Sequence, residues 1–185
     1  MHRVLRTAKR LAIAGFILLG IYALYPSPAW AQSIDDTAQA TIYSTSDPSE
    51  VIGEATFTET LNGLKIDAKI DNAPPGYHGF HIHENGSCDD GGQAAGGHFN
   101  PEDVKHGRLI TDGFDLAHAG DLGNIYVYED GTGILTQVIR DLPLTEGKRA
   151  VAGKAVILHA DRDDYGQPTG NADGRIGCGI ISLAD

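Results

Sequence analysis

Hydrophobic and polar positions alternate with a period of two along much of this chain. The clearest run is 64–70 (LKIDAKI), with Leu64, Ile66, Ala68 and Ile70 on one side and Lys65, Asp67 and Lys69 on the other. Successive side chains of an extended strand point to opposite faces, so this pattern predicts a strand with one buried and one wet face. Runs rich in β-branched and aromatic residues predict further strands at 38–44 (AQATIYS), 51–60 (VIGEATFTET), 77–84 (YHGFHIHE), 124–129 (NIYVYE), 134–139 (ILTQVI) and near 175–183. The nearly unbroken apolar run 150–159 (AVAGKAVILH) predicts a strand buried on both faces. Asn62-Gly63 and Asp130-Gly131 are hairpin-turn signals.

No segment beyond the N-terminus keeps a helical period over three turns. Residues 85–123 and 160–174 are aperiodic, with much glycine and several acids, and read as two long loops. Loops of that length inside a compact domain are usually functional. About eight short strands with glycine-rich connections predict one all-β domain, a sandwich or a barrel.

The first residues read as an address. Arg3, Arg6, Lys9 and Arg10 precede an apolar run of 14 residues, 11–24 (LAIAGFILLGIYAL), and Ala29-Trp30-Ala31 has the form of a cleavage site. A membrane-spanning helix needs about 18–20 apolar residues, so a secretory leader over 1–31 is expected, with a mature domain over 32–185. That predicts a secreted protein with no stable membrane association after cleavage, the periplasm being the expected compartment. The formal charge of the whole chain is −11. Loss of the leader removes four cations and no anions, leaving −15, with 10 Lys+Arg against 25 Asp+Glu. A surface so acidic argues against nucleic acid as a partner. In an oxidising compartment the two cysteines, Cys88 and Cys178, are expected to pair.

The histidines change the picture most. Of eight, only His2 lies outside residues 78–159. His81-Ile82-His83 puts two imidazoles on one side of a predicted strand, a rigid half-site for a metal. His118-Ala119-Gly120-Asp121 can fold a histidine and a carboxylate around one ion, with His106 in the same loop. Three histidines and an aspartate satisfy tetrahedral zinc with no open position, whereas four imidazoles suit copper(II). Six histidines cannot fill both sets unless one is shared, bound through both ring nitrogens.

Six motifs then occur in an order that resembles the copper/zinc superoxide dismutase family: GFHIHE (79–84), GGHFNP (96–101), KHG (105–107), HAGDLGN (118–124), LHADRDD (158–164) and GNADGRIGCGII (170–181). The resemblance implies an eight-stranded antiparallel Greek-key barrel with two long functional loops. It implies one copper held by His81, His83, His98 and His159, and one zinc held by His98, His106, His118 and Asp121, with His98 as the bridge. It implies that Asp163 holds one histidine of each set, that His78 is a structural histidine, and that Cys88 and Cys178 form a bridge tying the metal-site loop to the barrel. Arg175 matches the residue that guides superoxide to copper, and Thr169 the threonine that narrows the channel.

The implied reaction is dismutation of superoxide to oxygen and hydrogen peroxide by a redox-cycling copper beside a structural zinc, with Arg175 and His98 as the catalytic groups. Superoxide is then the small-molecule partner, and a homodimer is compatible with the resemblance. The stretch 108–117 departs from the family, being longer and more apolar through Leu109, Ile110, Phe114 and Leu116. A secreted copper- or zinc-binding protein without turnover is the alternative, disfavoured by the matching arginine and threonine. A hydrolase is weaker still, since no G-x-S-x-G motif occurs and such a zinc has no open position.

Overall fold

The computed structural model describes residues 36–184. The leader read in residues 1–31 lies outside the described residues. Nine strands form in chain order: β1 Thr37–Ser44, β2 Val51–Thr60, β3 Gly63–Ile70, β4 Gly76–His83, β5 Asn124–Val127, β6 Gly133–Ile139, β7 Ala155–His159, β8 Arg175–Ile180 and β9 Ser182–Leu183. All pairings are antiparallel, in the spatial order β2-β3-β6-β5-β4-β7-β8-β1, and β1 pairs with β2 to close the eight strands into a barrel. The chain passes from β3 over to β4 and from β6 back to β7, the long crossings of a Greek key. β9 adds a two-residue extension on β1, Ala38 opposite Leu183 and Gln39 opposite Ser182.

Period-two alternation places the core inside the barrel. Ile42, Phe57, Leu64, Ile66, Ile70, Phe80, Ile82, Ile125 and Leu158 are fully buried there. Each such side chain contributes about 1.5–3 kcal/mol by leaving water. The β2–β3 hairpin closes with Thr60 opposite Gly63, so Leu61-Asn62 form its tip and Gly63 takes φ +123°. At Asp130-Gly131 the Asp130 carboxylate accepts from the Thr132 backbone N–H, and Gly131 takes φ +82°.

Three elements differ from the sequence reading by more than a one-residue shift. β7 begins at Ala155, not 150, because Val151 plugs the core beside Leu142 and Leu144 while its N–H donates to the carbonyls of Pro143 and Leu144. The stretch read as one strand near 175–183 breaks at Ile181, whose N–H donates to the Lys154 carbonyl. β5 stops at Val127, where the hairpin turn begins. Within the apolar stretch 108–117, Leu109–Asp112 form a single helical turn, α1. Leu109 enters the core and Phe114 packs against it, whereas Ile110 and Leu116 are exposed.

β7 is buried on both faces, as expected, for a specific reason. Val156 and Leu158 face the barrel interior, while Ala155 and Ile157 face outward into a second small cluster with Ala95 and Cys178. The 84–123 loop therefore lies against the outside of the barrel, over β4 and β7.

Candidate metal centre

β4 sends Phe80 and Ile82 inward, so His81 and His83 must face out. β7 ends at His159 on the same outer face. The long loop then folds back over β4. Phe99 N–H donates to the Ile82 carbonyl, Gly120 N–H to Phe99, and Ile82 N–H to Gly120, each at 2.9 Å. Only glycine allows this approach at position 120, where a Cβ would lie 2.1 Å from the Ile82 oxygen. An isolated bridge pairs His83 with His98.

The result is two adjacent groups of potential ligands sharing His98: His81, His83, His98 and His159, and His98, His106, His118 and Asp121, the donor atoms of each group lying within 4.8 Å of one another. All seven residues are buried. The ring nitrogens that face away from these centres are held. His81 Nε2 lies 2.9 Å and His106 Nε2 3.0 Å from the two oxygens of Asp163. His83 Nδ1 lies 2.9 Å from the Gly96 carbonyl and His159 Nδ1 3.3 Å from that of Asp173. A neutral imidazole that donates at one nitrogen presents a lone pair at the other, so these partners select the tautomers.

The remaining nitrogens fit a bound cation. His81 Nδ1, His106 Nδ1 and His118 Nδ1 are buried without a hydrogen bond. His106 Nδ1 is nonetheless 2.9 Å from Asp121 Oδ2, and His118 Nδ1 is 3.2 Å from Oδ1. Atoms this close without a hydrogen bond between them make a donor set of the kind a cation is held by. His83 Nε2 and His159 Nε2 face each other at 3.3 Å, which places two lone pairs head to head unless a cation lies between them. Asp121 is steadied by the N–H groups of Gly107 and His118, at 3.0 and 2.8 Å.

Protonation agrees. Burial first, with repulsion from neighbouring histidines, pushes His83 down to about 2, His159 to about 3 and His98 to about 4. Burial pulls His106 down too, but the Asp121 and Asp163 carboxylates outweigh it and raise the ring to about 9. For Asp121 burial acts upward, and contacts from His106, His118 and His98 prevail, holding it well below the usual carboxylate range.

These shifts set a pH window for the metal-free protein. Between the ordinary value of 6.5 and the depressed values, the unfolded chain binds protons on His83, His98 and His159 that the folded chain refuses. Stability should therefore fall as pH drops below 6.5, by on the order of 1 kcal/mol per ring per pH unit. His106 acts oppositely: its contribution is full below 6.5 and is lost as pH rises through about 9. Thermal melts of the metal-free protein should peak near neutral pH, and a midpoint unchanged at about pH 5 would contradict the buried neutral histidines.

The sequence-predicted residues distribute as follows. Cys88 and Cys178 form the disulfide, with Cα atoms 5.7 Å apart. Arg175 donates to the carbonyls of Gly92 and Gly96, the second at 2.6 Å, so it shares the Gly96 oxygen with His83. His78 lies between two carbonyls, Nδ1 2.8 Å from His159 O and Nε2 2.7 Å from Pro74 O, in a packing role. Thr169 is exposed on the 160–174 loop, and among the described residues none of the hydrogen bonds that order the histidines involves it.

Sequence reasoning missed Asn124, whose side chain accepts from Asp163 N–H at 2.7 Å and donates to Asp163 O at 2.9 Å. Its signal was its place at the end of HAGDLGN, where it reads only as a strand start.

The residues thus define a closed Greek-key barrel with two histidine-rich groups on its outer face that could each hold a metal ion. The chain belongs to the copper/zinc superoxide dismutase family, whose model matches residues 51–181. A solved structure of the clock protein EA4 is 33% identical, with a TM-score of 0.71, covering 83% of this chain and 98% of that one.

Proposed function

We propose that this protein dismutates superoxide to oxygen and hydrogen peroxide, with copper held by His81, His83, His98 and His159 and zinc held by His98, His106, His118 and Asp121. The observation that carries the reading is the shared ring: His98 Nδ1 lies 2.8 Å from Asp121 Oδ1 in one group, which leaves Nε2 for the other. Copper, when bound, supplies the one-electron couple by which one superoxide is oxidised and a second reduced.

The chain's own groups do the rest. Asp163 orients His81 and His106 together, and the Asp121 side holds His98 so that Nε2 is the atom able to carry a proton toward reduced product. Arg175 attracts the anion. The formal charge is −11 for the whole chain and −15 without the leader, so attraction must be local. At about 0.15 M salt the Debye length is roughly 8 Å, which screens distant acids more than a cation beside the site.

Arg175→Ile should keep both metals, slow the reaction about tenfold and weaken its dependence on salt. Arg175→Lys should fall between, since it keeps the charge and loses the paired carbonyl contacts. Unchanged kinetics at full metal loading would remove Arg175 from the mechanism.

Metal analysis with superoxide removal, before and after chelation, tests the whole reading. The expected result is one copper and one zinc per chain, with activity lost on chelation and restored by copper. Bound metals without dismutation would favour a non-catalytic metal-binding protein, a reading that a relative named as a clock protein keeps in view. Dismutation without copper would sink the ligand assignment.

The disulfide is of the kind that persists in oxidising compartments. Cleavage of a leader after Ala31 and export to the periplasm complete the proposal. An exported form whose mass does not start at Gln32 would refute that cleavage point.

A further inference from the structure

Three residues at alternate positions of the 160–174 loop close on His106. Asp163 accepts from its ring at Nε2, at 3.0 Å. Gln167 takes its backbone from both sides: Nε2 donates to His106 O at 2.8 Å, and His106 N–H donates to Gln167 Oε1 at 3.3 Å. The ring of Tyr165 lies nearly parallel to the His106 imidazole, 16° between planes with centroids 6.3 Å apart, and the Arg108 guanidinium covers Tyr165 at 4.1 Å. Tyr165 N–H also donates to Asp163 Oδ1 at 2.7 Å, the oxygen that His106 uses. Its hydroxyl accepts from Asn124 Nδ2 at 3.3 Å.

Two further observations set this arrangement apart. Tyr165 has φ +63°, and the other non-glycine residues in that region among the described residues, Asp90, Asp103, Asp141, Asn171 and Asp173, are all Asp or Asn, which tolerate it. A bulky residue held there marks a position that its surroundings over-determine. Gly170 leaves no slack opposite: with φ +80°, a Cβ there would lie 1.9 Å from Asp163 Oδ1 and 2.7 Å from His106 Nε2.

The geometry points to Tyr165 and Gln167 as positioning residues that, with Asp163, lock His106 for zinc. The inference rests on the zinc assignment to His98, His106, His118 and Asp121. Asp163 fixes which ring nitrogen faces the ion, Tyr165 fixes the ring plane, and Gln167 fixes the backbone from which the ring hangs. A loop that contributes no zinc ligand thereby governs zinc retention.

The test compares Tyr165→Leu, Gln167→Leu and Tyr165→Phe with the parent. Zinc release into excess chelator is timed, copper content is measured in parallel, and cobalt(II) in the zinc position reports ligand geometry through its visible absorption bands. Each leucine variant should release zinc about 10- to 100-fold faster, with shifted cobalt bands, parental copper content and a parental melting midpoint for the metal-free protein. Tyr165→Phe keeps the ring and should behave as the parent. Parental zinc release and cobalt spectra in both leucine variants would overturn the inference. So would zinc loss that merely tracks a fall in the metal-free melting midpoint, or that Tyr165→Phe shares. A parent that holds no zinc would overturn the metal assignment first, an outcome distinct from these.

Discussion

With copper and zinc assigned as proposed, Asp163→Asn is expected to loosen both metals at once, each by about 10- to 100-fold, and to abolish most of the proposed dismutation at limiting metal. Asp163 is fully buried, and its oxygens accept from His81 Nε2, His106 Nε2 and Tyr165 N–H at 2.9, 3.0 and 2.7 Å. An ionised carboxylate only accepts, so it can serve all three donors. A carboxamide presents an NH2 group to one of the two imidazole N–H groups, donor against donor. That ring must then turn over, removing its lone pair from the ion, or remain unsatisfied at a cost of about 1–3 kcal/mol. Copper and zinc content after dialysis against a chelator is the measurement. Parental retention of both would show that Asp163 does not orient the rings, and selective loss of one would show that the two are set separately.

Removal of the disulfide should have the largest effect on stability. Cys88→Ala with Cys178→Ala is expected to cost about 2–5 kcal/mol, the usual loss when a native bridge is removed from a small domain. For a domain of this size that corresponds to a fall of roughly 5–20 °C in melting midpoint. The bridge closes a sequence separation of 90 residues, and Cys178 also belongs to the small cluster over the outer face of β7. The loop it anchors carries the carbonyls of Gly92 and Gly96 that hold Arg175. Activity should therefore fall at temperatures where the barrel is still folded. Parallel melts and rates with and without reductant check this, and a double variant with parental melting and rate would make the bridge dispensable.

Much of this molecule was legible in the chain because its signals are local. Strand β3 follows from strict alternation across Leu64 to Ile70, and the β2–β3 hairpin from Asn62-Gly63. The count of six histidines and an aspartate required one shared ring, whereas the membership of the two groups came from the motif order that resembles the family, and the structure brings those seven residues together. Hydropathy misleads where an apolar residue serves a contact other than a ladder. Val151 reads as strand and instead fills the core from a turn, and Leu109 and Phe114 read as an unexplained insert and instead anchor their loop to the barrel.

What the sequence by itself determined is the alphabet of the site: an all-β chain, a His-X-His strand, a glycine-rich loop and one shared histidine. Tertiary structure alone decided which nitrogen of each ring faces inward, because that choice is made by partners distant along the chain. His81 and His106 meet at Asp163 across 82 and 57 residues, and Gln167 reaches His106 across 61. A hydrogen bond depends on distance and direction in space, which a one-dimensional pattern does not carry. Tyr165 and Gln167 are therefore two unremarked letters in an aperiodic loop until the barrel sets them against His106.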